Sequence, residues 1–255
     1  MTTLDLTPSP GAAPLPRMVL AQAGAEVRAI LRNGEQLLLT LIIPVLLLAG
    51  FSLAPLIDIG GGRRVDFLAP GVLALAVMST AFTGQAIATG FERRYGVLKR
   101  LGATPLSRAG LMLAKTLAVL AVEALQAVVI VAVALALGWR PHGSFAAAAL
   151  LVLLGTAAFS GLGLLMAGIL RAEATLAAAN LVYLVLLGAG GVVFPLSKFP
   201  EGVRSVLELL PISALAGGLR AVLRDGAALP LGALAVLLIW AAATLGLASR
   251  TFRWE

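Results

Sequence analysis

Apolar residues fall along this chain in long blocks, and the polar residues between them are clustered rather than alternating. Runs of Leu, Ala, Val and Ile roughly 20 residues long match the length one helix needs to cross the hydrocarbon of a bilayer. Backbone inside a bilayer must satisfy its own hydrogen bonds, which selects helices over open strands. Six spans are predicted, over residues 36–56, 67–90, 105–137, 144–170, 174–194 and 228–248. Ahead of them Leu20, Ala23, Val27, Ile30 and Leu31 recur at helical spacing, while Gln22, Glu26, Arg28 and Arg32 point elsewhere. Residues 17–34 are therefore predicted to be an amphipathic helix lying in the membrane interface, ended by the Asn33-Gly34 break. Residues 1–16, rich in Thr, Pro, Gly and Ala, show no periodicity and no apolar signal-peptide core, and read as a disordered tail.

Between the fifth and sixth spans, Pro200, Pro211 and Gly217-Gly218 punctuate two short apolar pieces, 201–210 and 212–223. Neither is long enough to cross a bilayer. They read as two short helices that re-enter the outer leaflet or cap the bundle, with an ordinary amphipathic external loop as the alternative. Orientation follows from the basic residues: Arg93, Arg94, Lys99, Arg100 and Arg108 crowd one short loop, on the same side as Arg17, Arg28, Arg32, Arg171, Arg250 and Arg253. An excess of Lys and Arg in short loops marks the cytoplasmic face, so both termini are expected there.

Composition agrees with this reading. The chain is 60% hydrophobic and only 12% charged, with a mean hydropathy of +1.02, far from a soluble domain. Its net charge of +7 is spread over loops and span edges without an aromatic-basic motif, so no nucleic-acid partner is expected. With no Cys and a single His, His142 in an external turn, the chain offers no disulfide, no thiol chemistry and no multi-histidine metal site. No catalytic or metal-binding residue is assigned.

The loop after the second span carries the strongest functional pattern. Phe91, Tyr95 and Leu98 fall at i, i+4 and i+7, and Leu101 continues the stripe, which predicts a short helix with one greasy face. Gly102 supplies a turn, and Thr104 as N-cap with Pro105 at the first helical position restarts the third span. A basic loop beside an anionic leaflet has the same composition, each charge gaining about 1 kcal/mol from the surface potential, so the pattern alone fits either use. The run Glu92-Arg93-Arg94, Gly96, Leu98-Lys99-Arg100-Leu101 and Thr104-Pro105-Leu106-Ser107 resembles the loop between the second and third spans of ABC-2 type transporter permeases. The resemblance extends over nearly the whole chain, through the interfacial helix and the proline-punctuated Phe194-Pro195-Leu196, Phe199-Pro200 and Leu210-Pro211 stretches.

What the resemblance implies is an all-α membrane protein. Six transmembrane helices would be joined by an N-terminal interfacial helix, a cytoplasmic coupling helix and two short external re-entrant helices. Residues 35–255 would form a single ABC-2 type transmembrane domain. The residues implied in coupling are Phe91, Glu92, Arg93, Arg94, Tyr95, Gly96, Leu98, Lys99, Arg100, Leu101, Thr104 and Pro105, seated on a separate ATP-binding subunit. The likeness is to the small permeases of bacterial drug-export systems and relatives handling polyketides or lipids, which implies export across the bacterial plasma membrane. Six helices are few to enclose a large apolar molecule, so a second permease subunit, identical or paralogous, is expected alongside membrane lipids. None of Lys99, Lys115 or Lys198 follows a glycine, so the phosphate-cradling G-x-x-x-x-G-K-[ST] loop is missing. ATP and Mg are accordingly assigned to the partner, and this chain is read as a transport subunit without cofactor or enzymatic site of its own.

Polar side chains within the spans mark a candidate substrate pathway: Glu123 with Gln126 one turn on, Thr83 in the second span, and Asn180 with Tyr183 on one face of the fifth. A carboxylate at bilayer depth is costly and by default functional. Glu123 is read as binding a cationic substrate or moving a proton, or else as the partner of a basic residue on a neighbouring helix. The first of these keeps open an alternative function, a secondary transporter driven by an ion gradient. Lys115 is expected to snorkel to the cytoplasmic edge. Helix-to-helix hydrogen bonding is the alternative use of Thr83, Asn180 and Tyr183.

Overall fold

A computed structural model describes residues 11–34, 38–54 and 63–251. The first ten residues of the expected tail, both ends of the first expected span and residues 252–255 lie outside the described residues. Helix α1 (Leu15–Arg32) begins where Pro14 and Pro16 sit at positions that donate no intrahelical hydrogen bond. Its Val19 and Ala23 are buried against the third span, while Leu20 on the outer face is 65% exposed. The first expected span is described as the apolar stretch Thr40–Leu53, a π-helical turn Leu38–Ile42 leading into α2 (Ile43–Leu53). Pro44 lacks the N–H that an α-helix would aim at the Thr40 carbonyl, and Gln126 Nε2 donates to that oxygen instead, at 3.1 Å.

The second span is the central post of the bundle. It runs unbroken from Arg64 to Arg94, as α3 (Arg64–Val77), a π-helical segment Met78–Gly84, and α4 (Gln85–Arg94). Four residues of the expected coupling helix, Phe91 to Arg94, thus belong to this span. The helix ends because Gly96 adopts φ +71°, the left-handed conformation that terminates helices, so only α5 (Val97–Gly102) remains as a separate short helix of the expected coupling segment. The third span, α6 (Arg108–Ala136), does not restart at Thr104-Pro105. Ser107 is its N-cap, its Oγ accepting from Gly110 N at 3.1 Å, whereas the Thr104 hydroxyl turns back to the Leu101 carbonyl. Leu106, 7% exposed, is drawn into the bundle between these two candidate caps and delays the restart.

Ser144 caps α7 (Phe145–Ile169) in the same way, with Ala147 N donating at 3.3 Å. The fifth span, α8 (Ala172–Ala189), starts two residues before and ends five before the expected bounds; the chain leaves the helix through Gly190 and Gly191, the latter at φ +67°. After a short 3-10 turn, α9 (Glu201–Leu207) and α10 (Pro211–Leu223) meet at a 92° bend, the geometry of a broken span or of a re-entrant pair. Helix α11 (Leu231–Thr251) closes the chain, three residues later than expected at both ends. It lies along α7, where Gly161 leaves no room for a Cβ against Thr244, whose hydroxyl is 3.1 Å from the Ala158 carbonyl.

Five described helices are long and apolar enough to cross a membrane, or six if the bent pair counts as one. The principal core surrounds the second span and takes in Ile212, Leu215, Leu219 and Val222 of α10. A smaller core at the opposite end of the bundle gathers Val19, Leu98, Leu106, Leu111, Met112 and Ala248. Arg220 fastens α10 in place: its guanidinium donates to the carbonyls of Phe67 (3.1 Å), Gly191 (2.7 Å) and Val192 (2.7 Å), and lies 3.8 Å over the Phe67 ring. Gly71 makes room for it, since a Cβ there would meet Arg220 Nη2 and the Val192 carbonyl, each at 2.6 Å.

Candidate coupling loop and membrane cleft

The twelve residues expected to couple fall into two groups of different character. Arg93 caps the end of α7, donating to the carbonyls of Gly168 (2.8 Å) and Leu170. Arg94 pairs with Glu173 at the start of α8. Phe91 and Tyr95 stack at 6.1 Å between centroids. Leu98 is fully buried in the small core and Leu101 packs against it, so the greasy stripe anchors the loop instead of presenting it. What projects is Tyr95, 67% exposed, and Val97, 38% exposed, with Gly102, Thr104, Pro105 and the side chains of Lys99 and Arg100 also exposed.

Glu92 and Lys115 form a connection that the sequence did not announce. Lys115 does not snorkel outward: its ammonium, 3% exposed, lies 2.7 Å from Glu92 and 2.9 Å from Glu26 of α1. Gln22 Nε2 also donates to Glu26, at 2.9 Å. An ammonium this deep needs carboxylate partners to offset its desolvation. The result ties α1, the Arg94 end of the second span and the third span to one cation. The hint in sequence is Lys115 alone, a charge set inside the long apolar run of the third span.

The polar residues within the spans also divide. Thr83, Asn180 and Tyr183 come together with Ser79, Thr40 and Asn33 on the wall of a cleft of about 600 Å³, whose apolar side is formed by Ile43, Pro44, Ile87 and Leu176. Ser79 Oγ donates to Tyr183 Oη at 3.3 Å. Glu123 and Gln126 are not in this cleft. Gln126 Oε1 accepts from Thr80 at 3.0 Å, so the amide bridges the first, second and third spans. Glu123, 4% exposed, accepts from Thr156 of α7 at 2.5 Å. Its partner is thus a hydroxyl and not a basic side chain, and its Oε1 has no hydrogen-bond partner among the described residues.

Among the described residues no group of three or more His, Asp or Glu is placed to hold a metal ion. A cleft with apolar walls and a few hydroxyl and amide groups suits a greasy molecule with scattered polar atoms. The exposed loop sits at one end of two spans, mechanically joined to both.

No curated protein matches the chain. The ABC-2 type transporter family model matches residues 19–223, from α1 through the loop and the cleft to the end of α10. The chain is a multi-pass membrane permease, and it belongs to the ABC-2 type transporter family.

Proposed function

We propose that this chain is the membrane-spanning subunit of an ATP-driven exporter, seated through its second-to-third-span loop on a separate ATPase chain that binds ATP and Mg. The observation that carries this reading is the two-sided loop: Leu98 is locked into the bundle while Tyr95 and Val97 stand free beside Arg100. A partner pressing on that tip pushes a helix whose other face is fastened to α1 and the third span. Movement then reaches the second span through Gly96 and the Glu92–Lys115–Glu26 cluster. In this reading the termini are cytoplasmic, in a bacterial plasma membrane, and two permease copies, identical or paralogous, enclose the path.

The cargo is a hydrophobic or amphipathic molecule, a drug, polyketide or lipid, received by the cleft of Thr83, Asn180 and Tyr183. Arg93 and Arg94 are poor probes of docking because they hold α7 and α8. The informative variant is Tyr95→Asp combined with Arg100→Glu. It should abolish co-purification of the ATPase and ATP-dependent transport while leaving the permease folded; survival of both activities refutes the docking role.

The unpartnered Oε1 of Glu123 supports a second reading, transport coupled to a proton gradient. Proteoliposomes holding this chain alone, without ATP, decide it. Uptake or efflux driven by a pH gradient and lost in Glu123→Gln would favour that mechanism over the first.

A further inference from the structure

Away from the coupling tip, on the side of the second span that faces α8, a separate cleft of about 320 Å³ opens between Gly90, Arg93, Arg94, Arg171, Ala172 and Glu173. We propose that it binds the phosphate headgroup of an anionic phospholipid. Its depth is set by helix ends: Arg94 terminates the second span, Ile169 the fourth, and Ala172 begins the fifth. Three span termini meeting at one level mark the boundary where hydrocarbon gives way to headgroups.

The charge balance suits a phosphate. Three guanidinium groups face one carboxylate around the cleft. Arg93 is immobilised by the α7 carbonyls and contributes a fixed charge. Arg94 and Glu173 are 51% and 63% exposed, and so exposed a pair is weak enough for a phosphate oxygen to replace the carboxylate. Arg171 is exposed, and it occupies the N-cap of α8 without supplying a side-chain acceptor. The first amides of that helix, at Ala172 and Glu173, therefore have no intrahelical acceptor, and both residues line the same cleft. A basic pocket between spans at the membrane surface is a recognised form of lipid headgroup site.

Apolar surface next to the cleft favours a lipid over a free anion. Ile169 is 61% exposed and Leu176 is 39% exposed, one on each side of the α7–α8 turn. Leu176 stands little more than a turn into the fifth span from Arg171, where an acyl chain attached to the bound headgroup would run, and it also borders the larger cleft. The assignment to the cytoplasmic leaflet rests on the topology proposed above; the site itself does not. Its test uses the full chain without any ATPase, so failure of the coupling reading leaves the result intact.

The full chain in an uncharged detergent is titrated with dioleoylphosphatidylglycerol, with dioleoylphosphatidylcholine and with inorganic phosphate, and occupancy is read by native mass spectrometry. Phosphatidylglycerol should occupy one saturable site in preference to phosphatidylcholine. Arg171→Gln and Arg94→Gln should each weaken it about fivefold, the effect expected for one basic residue at an anionic surface. Glu173→Gln should tighten binding, because it releases Arg94; a purely structural role for the Arg94–Glu173 pair predicts no such gain. If Arg94→Gln fails to fold, Arg171→Gln and Glu173→Gln carry the test alone. Equal binding of the two lipids, unchanged affinity in the variants, or full displacement by inorganic phosphate at equal concentration overturns the proposal.

Discussion

Removing the ammonium of Lys115 tests whether the buried charge cluster is a structural link or an incidental contact. Lys115→Met keeps the length and most of the volume of the side chain but leaves Glu26 and Glu92 facing each other without their cation. Breaking a buried ion pair by deleting one partner costs about 3–5 kcal/mol. Here the lysine is 3% exposed but the two carboxylates are 15% and 22% exposed. Water therefore reaches them partly, and the expected cost lies at the lower end, about 3 kcal/mol. Reversible unfolding in mixed detergent micelles measures it. The decisive comparison is the triple variant Lys115→Met, Glu26→Gln, Glu92→Gln, in which no unpaired charge remains. Replacing an entire buried ionic cluster by neutral groups is often close to neutral in stability, so the triple variant should recover most of the loss. A single variant costing less than about 1 kcal/mol, as an exposed pair would, refutes the argument. So does a triple variant no better than the single. Should the triple variant fold well yet transport poorly, the cluster transmits motion as well as supplying stability.

Three further substitutions separate neighbouring residues by role. Leu98→Ala should cost about 2–5 kcal/mol of stability, as a fully buried leucine does, whereas Tyr95→Ala should leave unfolding unchanged and affect only ATPase association; reversed effects would put the wrong face of α5 in the bundle. Gly71→Ala should cost about 1–3 kcal/mol by overpacking against Arg220 and the Val192 carbonyl, measured in the same unfolding assay, and a neutral result would show that the guanidinium can shift freely. Ser107→Ala should cost about 1 kcal/mol as the loss of a helix cap. Thr104→Ala should cost measurably less, and equal losses would restore the earlier restart of the third span.

The long spans were readable because an apolar run of membrane length fixes a helix whatever its exact register. Boundaries depended on competition between local signals. Thr104-Pro105 and Ser107 both offer a start for the third span, and the burial of Leu106, a tertiary event, favours the second. Gly96 lay within an otherwise regular stripe, so periodicity passed over it, although only its positive φ explains why Phe91 and Leu98 belong to different helices. The cleft was half legible: Asn180 and Tyr183 share a helix face in any reading, but their meeting with Thr83 and Ser79 required packing of the second and fifth spans. The Glu26–Lys115 pair joins residues 89 positions apart, beyond the reach of any local pattern. Glu123 and Gln126 share a helix face as expected, yet their neighbours direct them to Thr156 and to Thr80, away from the cleft.

The clamp formed by Arg220 has a lopsided tolerance to change. Every hydrogen-bond acceptor it engages is a main-chain carbonyl, of Phe67, Gly191 and Val192. Main-chain oxygens survive substitution of the residues that carry them, so the receiving side can vary in side chain without losing an acceptor. The polar part of the fastening of α10 to the second span and to the end of α8 is therefore written in one codon, beside the apolar packing of Ile212, Leu215, Leu219 and Val222. A saturation scan of this end of the bundle should find position 220 almost closed to replacement, Lys included because it cannot reach three divergent oxygens at once, while positions 191 and 192 fail only where bulk or backbone angle forbids.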